Sequence, residues 1–171
     1  MYETYEGMRR FLDTGGPVLW AIGLTAVLLA GLIIERYWYC RRDFPRRMAQ
    51  QVASWRQRAD HASWSSLRIR EALIADARVQ LNRGVALIKV LVALCPMLGL
   101  LGTVTGMMAV FDVIALLGTG NARAMAAGIS QATIPTMAGM LVALPGLYFR
   151  AGLQREIARR VEQFADRLAL V

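Results

Sequence analysis

Three long stretches without a charged residue constrain this chain more than any other feature. They cover residues 17–34, 90–111 and 124–149. An α-helix rises about 1.5 Å per residue, so about 20 apolar residues cross a hydrocarbon core about 30 Å thick. A water-soluble core built from all three would be unusually large for a chain of 171 residues. The pattern predicts an all-α, polytopic membrane protein with transmembrane helices at 17–37, 90–115 and 124–149.

The residues before the first stretch do not have the pattern of a signal sequence. They mix acidic, basic and aromatic residues and show no small-residue cleavage site, so we expect the first helix to be retained. Met1, Tyr5, Met8 and Leu12 share one helical face, which predicts a short helix over 1–14 on the outer membrane surface.

Basic residues are unevenly distributed between the segments that flank the predicted spans. Twelve of the twenty Lys and Arg residues lie in 36–89, five lie in 150–171, and three lie elsewhere. The positive-inside rule then predicts an N-terminus on the outer side of the membrane, with 38–89 and 150–171 in the cytoplasm. This topology and the attraction to anionic membrane lipids account for the net charge of +8 without a nucleic-acid partner.

Both predicted cytoplasmic segments have helical apolar patterns. In the first, apolar residues recur every seven positions, at Leu67, Ile74, Leu81 and Ile88. In the second, they form one face, at Ile157, Val161, Phe164 and Leu168. We therefore expect a turn near 59–66, an unbroken helix running past Gly84 into the second span, and a third span that continues into the cytoplasm. The whole chain is interpreted as a single membrane domain, 1–171.

The second and third spans carry stripes of small residues at helical spacing. In lipid, such stripes let two helix backbones approach closely. The predicted packing residues are Gly99, Gly102, Gly106, Gly128 and Gly139. The short connection at 117–121 predicts that the two helices are antiparallel neighbours.

Hydroxyl groups lie near the middle of both spans. Thr103 and Thr136 are expected at the same depth, and Thr133 and Gln131 lie within two turns of Thr136. A threonine can satisfy its hydroxyl on a backbone carbonyl one turn back, so a structural role stays open for each. Together, the four residues predict a polar track within the membrane.

No ionisable residue lies within the uncharged stretches, and the nearest acids are at their ends. Asp112 either draws cations to the outer mouth or pairs with Arg123. Glu35 and Arg36 mark the inner interface of the first span. A proton path through a membrane usually needs a titratable group partway. If this chain conducts protons, a partner would therefore have to supply the acid.

Other chemistries find no support in the sequence. Cys40, Cys95 and the lone His61 form neither a disulfide framework nor a metal site. We find no nucleophile–base set, and the glycines at 99 and 102 lack the strand context of a phosphate-binding loop. We therefore expect no cofactor, no metal and no enzyme activity.

The motif CPMLGLLGTVTGMM at 95–108, followed by GISQA at 128–132, Thr136, Gly139 and VALP at 142–145, resembles the MotA/TolQ/ExbB proton channel family. The resemblance is strongest to the short ExbB proteins of TonB systems. Members of the MotA branch have a fourth span that this chain lacks. The chain departs from many relatives at Gln131, where they have Glu, which argues against a proton-relay role for that position.

The resemblance implies a homopentamer in the bacterial inner membrane, with periplasmic N-termini, around the transmembrane helices of two ExbD-like subunits. It also implies that the polar track lines the pore, where Thr103 and Thr136 face an aspartate on the ExbD-like helix. A TonB-like energy transducer would then couple the proton motive force to outer-membrane transport. Two alternatives stay open: a scaffold that stabilises its partners without lining a proton path, and a TolQ-type subunit that serves envelope integrity.

Overall fold

The structure is a computed structural model that describes residues 16–58, 63–117 and 122–169. Those residues form five α-helices and no strand, which confirms the all-α class. The helices are α1 (Gly16–Trp38), α2 (Phe44–Arg56), α3 (Trp64–Asn82), α4 (Val85–Leu117) and α5 (Ala122–Ala169). The predicted helix at 1–14 lies outside the described residues, as do 59–62 of the expected turn and 118–121 of the outer connection.

Three stretches of helix in the described residues are long and apolar enough to cross a membrane, which confirms the three predicted spans. The uncharged stretches fall in α1, α4 and α5. With 33 residues in α4 and 48 in α5, these two helices are about 50 and 72 Å long. Both exceed the thickness of a hydrocarbon core, as expected for spans that continue as long helices.

The junctions between α1 and α2 and between α3 and α4 differ from what the sequence predicts. A π-helical segment, Tyr39–Asp43, joins α1 to α2 without a turn, and nothing in the sequence predicted it. The expected unbroken helix past Gly84 is wrong, because α3 ends at Asn82 and α4 begins at Val85. Gly84 has a φ of +83°, a left-handed conformation that glycine adopts without strain and that ends a helix.

The chain divides into two compact units. Of the described residues, 16–30, 89–117 and 122–147 form the apolar unit, and 31–58, 63–88 and 148–169 form the charged unit. Helices α1, α4 and α5 each contribute residues to both.

The charged unit has a core of large apolar side chains. Leu81, Ile88 and Phe164 are fully buried. All four residues of the predicted C-terminal face are buried, and Arg70 joins α3 to α5 by donating to the carbonyl oxygen of Ala165 at 3.1 Å. Only part of the seven-residue repeat is buried, since Leu67 near the start of α3 is 50% exposed.

Candidate functional site

Helices α4 and α5 pack backbone to backbone in the apolar unit. All five glycines predicted as packing residues lie where an added Cβ would come closer to the facing helix than real Cβ atoms do. The contacts pair Gly99 with Thr136, Gly102 with Pro135, Gly106 with Ala132, Gly128 with Val110, and Gly139 with Cys95. Numbers rise along one helix as they fall along the other, so the helices are antiparallel. We call this contact the α4–α5 seam.

The closest approaches in the seam involve backbone atoms, which cannot rotate away. A Cβ at Gly139 would stand 2.5 Å from the carbonyl oxygen of Cys95, and one at Gly99 would stand 2.9 Å from the Cα of Thr136. Pro135, which is fully buried, fills the space over Gly102. The sequence pattern did not single out Pro135, although it shares the spacing of Ala132 and Gly139.

The hydroxyl of Thr136 joins the two helices. Its Oγ1 donates to the carbonyl oxygen of Gly99 at 2.9 Å. A threonine inside a helix usually bonds within its own helix, so the residue spacing did not indicate this interhelical bond. Because Gly99 has no side chain, the neighbouring helix comes close enough to reach its carbonyl oxygen.

The other threonines of the predicted track bond within their own helices. Thr103 is half-buried and donates to the carbonyl oxygen of Leu100 at 2.7 Å. Thr133 is exposed in the single chain and donates to the carbonyl oxygen of Ser130 at 2.9 Å. A hydroxyl has one donor and two acceptor sites. With the donors engaged, each of these oxygens can still accept a hydrogen bond.

Helix geometry divides the four residues of the predicted track. Thr103 follows Gly99 by four positions and Thr136 follows Ala132 by four, so in antiparallel helices both flank the same side of the seam. Thr133 lies about 60° round α5 from Thr136, whereas Gln131 lies about 140° away. The structure thus brings the three threonines to one side and leaves Gln131, which is exposed, on another.

The predicted acidic residues lie away from the seam. Asp112 and Arg123 are both exposed. The ion pairs within the described residues join Glu35 to Arg36 and Glu156 to Arg160, and none joins Asp112 to Arg123. Glu35 and Arg36 belong to the charged unit.

No group of three His, Cys, Asp or Glu side chains in the described part of the chain could hold a metal ion. Cys40 and Cys95 are buried free thiols. His61 lies outside the described residues. The seam therefore offers hydroxyl and carbonyl oxygens at helical spacing, and the described side chains that form it include no carboxyl group.

Comparison with known proteins matches residues 42–166 to the model of the MotA/TolQ/ExbB proton channel family. The protein ExbB-like 1 of Synechocystis sp. is 29% identical over 91% of this chain and 75% of its own length. The biopolymer transport protein ExbB of Pseudomonas putida is 32% identical over 59% of this chain. The biopolymer transport protein exbB1 of Vibrio cholerae is 37% identical over 43% of it.

The matched stretches cover 31% and 33% of the Pseudomonas and Vibrio proteins, so those similarities concern part of each protein. The family model, by contrast, matches well over half of this chain and takes in α2, α3, α4 and most of α5. The three apolar helices and the matched range agree with a multi-pass protein of the inner membrane. The chain belongs to the MotA/TolQ/ExbB proton channel family.

Proposed function

We propose that this chain is the ExbB-type subunit of a proton-driven motor in the inner membrane. Five copies surround the transmembrane helices of two ExbD-like subunits, and a TonB-like protein passes the work to outer-membrane transport. The N-terminus is periplasmic and the C-terminus is cytoplasmic, which the distribution of basic residues supports.

The observation that carries the proposal is the hydrogen bonding of the threonines beside the seam. Thr103, Thr133 and Thr136 all donate to backbone carbonyls, so their free oxygen sites accept hydrogen bonds. A protonated carboxyl on a neighbouring helix would find acceptors here, whereas an ionised carboxylate would meet three hydroxyl protons that are already donated to carbonyl oxygens. The seam thus favours the neutral acid at mid-membrane, which is the form in which a carboxyl carries a proton across.

The membrane potential can supply the energy that such a proton-driven motor needs. One elementary charge crossing 100 mV releases about 2.3 kcal/mol. Several protons per cycle would supply the work of rearranging a subunit against its neighbours. Because α4 and α5 carry no acid in their uncharged stretches, the titrating group belongs to the ExbD-like helix.

A scaffold is the second candidate, and the same hydrogen bonds favour it. Hydroxyls that are satisfied within the chain need no proton path to explain them. The bond from Thr136 to Gly99 also fastens α4 to α5. Relatives named ExbB favour the ExbB type over the TolQ type.

The experiment compares Thr103→Val and Thr136→Val with Thr105→Val in cells that depend on this chain for energised uptake. Valine keeps the shape and removes the hydroxyl. Thr105 is the matched control, since its hydroxyl also donates to backbone carbonyls, of Leu101 and Gly102, while it lies about 160° round α4 from Thr103.

We expect uptake to fall about tenfold or more in the first two variants, because a buried polar group that loses its hydrogen bond costs about 1–3 kcal/mol and about 1.4 kcal/mol is a factor of ten. Membrane levels of the complex should stay unchanged, and the Thr105 variant should retain normal uptake. Normal uptake in both test variants would leave the scaffold as the function. An equal loss in all three would show a general packing effect instead.

A further inference from the structure

An open cleft in the charged unit collects positive charge at the end of the first apolar helix. Its volume is about 550 Å³, and it is lined by Glu35, Arg36, Tyr39, Arg47, Gln80 and Arg83. Three guanidinium groups face one carboxylate there. The lining residues come from the end of α1, the π-helical segment, α2 and the end of α3, so only the folded unit assembles the cleft.

Arg36 is fixed in this cleft, and the carboxylate that pairs with it is largely exposed. Its side chain is 14% exposed and its guanidinium packs on Gly84, where an added Cβ would stand 2.8 Å from Nε. The Nε atom is buried and has no hydrogen-bond partner among the described residues. Glu35, the carboxylate that pairs with it, is 3.7 Å away and 60% exposed, so water screens much of that attraction.

The ring of Tyr39 contacts two of the arginines. The guanidinium carbons of Arg36 and Arg47 lie 5.6 and 6.0 Å from the centre of its ring, within the range of a cation–π contact. The π-helical segment places Tyr39 between them. At the far side, Arg83 follows directly after α3. Gln80 is steadied by the hydrogen bond that its Nε2 donates to Asp76 at 2.8 Å.

The surroundings of the cleft indicate the depth at which it lies. It begins at Glu35, directly after the uncharged stretch of α1 ends. The neighbouring Tyr37 and Trp38 are exposed, and Arg41 and Arg42 stack 5.5 and 5.7 Å from their rings. Aromatic rings with basic residues beside them are typical of the headgroup level of a bilayer.

We infer that this cleft binds a phosphate group, and that the headgroup of an anionic phospholipid supplies it. Arginine forks match phosphate oxygens in geometry and charge, and basic pockets at this level bind anionic headgroups. The cleft has the size of a small-molecule site and is larger than a bare phosphate fills. The inference requires membrane insertion, and it is independent of the proposed proton path.

The test uses the detergent-purified full chain and native mass spectrometry. The protein is titrated with phosphatidylglycerol, with phosphatidylcholine, which has a phosphate but no net charge, and with soluble glycerol phosphate. The test variant is Arg47→Gln with Arg83→Gln, because both side chains line the cleft and are exposed. Arg36 is kept, since its packing on Gly84 contributes to the fold.

The control variant is Arg46→Gln with Arg78→Gln. These arginines are also exposed, lie on α2 and α3, and do not line the cleft, so both variants lose the same charge. We expect saturable binding of phosphatidylglycerol, weakened about tenfold or more in the test variant and by less than about twofold in the control. Thermal unfolding of both variants checks that the fold is kept.

Four results would overturn the inference. Equal weakening in both variants would mean that the net charge attracts the lipid without a site. Glycerol phosphate binding as tightly as phosphatidylglycerol would assign the cleft to a soluble phosphate compound. Equal binding of phosphatidylcholine, or no binding of phosphatidylglycerol, would remove the role of the three arginines.

Discussion

The α4–α5 seam and the core of the charged unit are held together in opposite ways. The seam brings backbones into contact through five glycines, and its polar bond runs from the hydroxyl of Thr136 to a carbonyl of the facing helix. The charged unit instead buries large side chains, with Leu81, Ile88 and Phe164 removed from solvent. One region depends on the absence of side chains and the other on their bulk.

The difference follows from the surroundings that each region is built for. Lipid tails are as apolar as leucine, so two helices in a membrane gain little from burying bulk and gain most from close contact. In water, each buried methylene contributes about 0.8 kcal/mol. We therefore predict that removing side-chain bulk destabilises the charged unit, whereas adding it destabilises the seam.

The largest effect is expected in the charged unit, for Leu81→Ala. Leu81 is 0% exposed, and removing a fully buried leucine side chain costs about 2–5 kcal/mol of the free energy of unfolding. Leu67→Ala is the matched control, since it lies on the same helix and is 50% exposed. Chemical unfolding in detergent micelles measures both. Equal losses at the two positions would contradict the difference in burial.

A smaller loss is expected in the seam, for Gly139→Ala. The added methyl would meet the carbonyl oxygen of Cys95 at 2.5 Å, and overpacking of this kind costs about 1–3 kcal/mol. Gly152→Ala on the same helix meets nothing within 4 Å. It should leave stability unchanged or raise it by about 0.5–1 kcal/mol, because alanine favours a helix. The same unfolding titration measures this pair, and a stabilised Gly139 variant would contradict close packing at the seam.

Much of the fold could be predicted because it depends on local patterns. The uncharged stretches set the three long apolar helices, and the spacing of the glycines at 99, 102 and 106 marked the face that meets α5. The C-terminal stripe ending at Leu168 is buried as its spacing indicates. Each of these features repeats within a single helix, so the residue spacing carries the information.

Features that depend on two distant segments could not be predicted from the sequence. The bond from Thr136 to Gly99 needs two helices in register, and the basic cleft joins residues 35–47 to residues 80–83. The seven-residue repeat predicted one helix through Leu81 and Ile88, whereas the left-handed conformation of Gly84 ends the helix between them. Gln131 was grouped with the threonines by sequence proximity, although helix geometry turns it away from them.

The central claim is that the seam accepts a proton-carrying acid from another chain. The direct test reconstitutes this chain in liposomes, alone and with the ExbD-like subunit that we propose as its partner, and follows proton flux under an imposed membrane potential with a pH-sensitive dye. We predict no flux with this chain alone, flux with the partner, and loss of flux when the aspartate in the span of the partner is replaced by asparagine. Flux through this chain alone, or flux that survives the loss of that aspartate, would contradict the account.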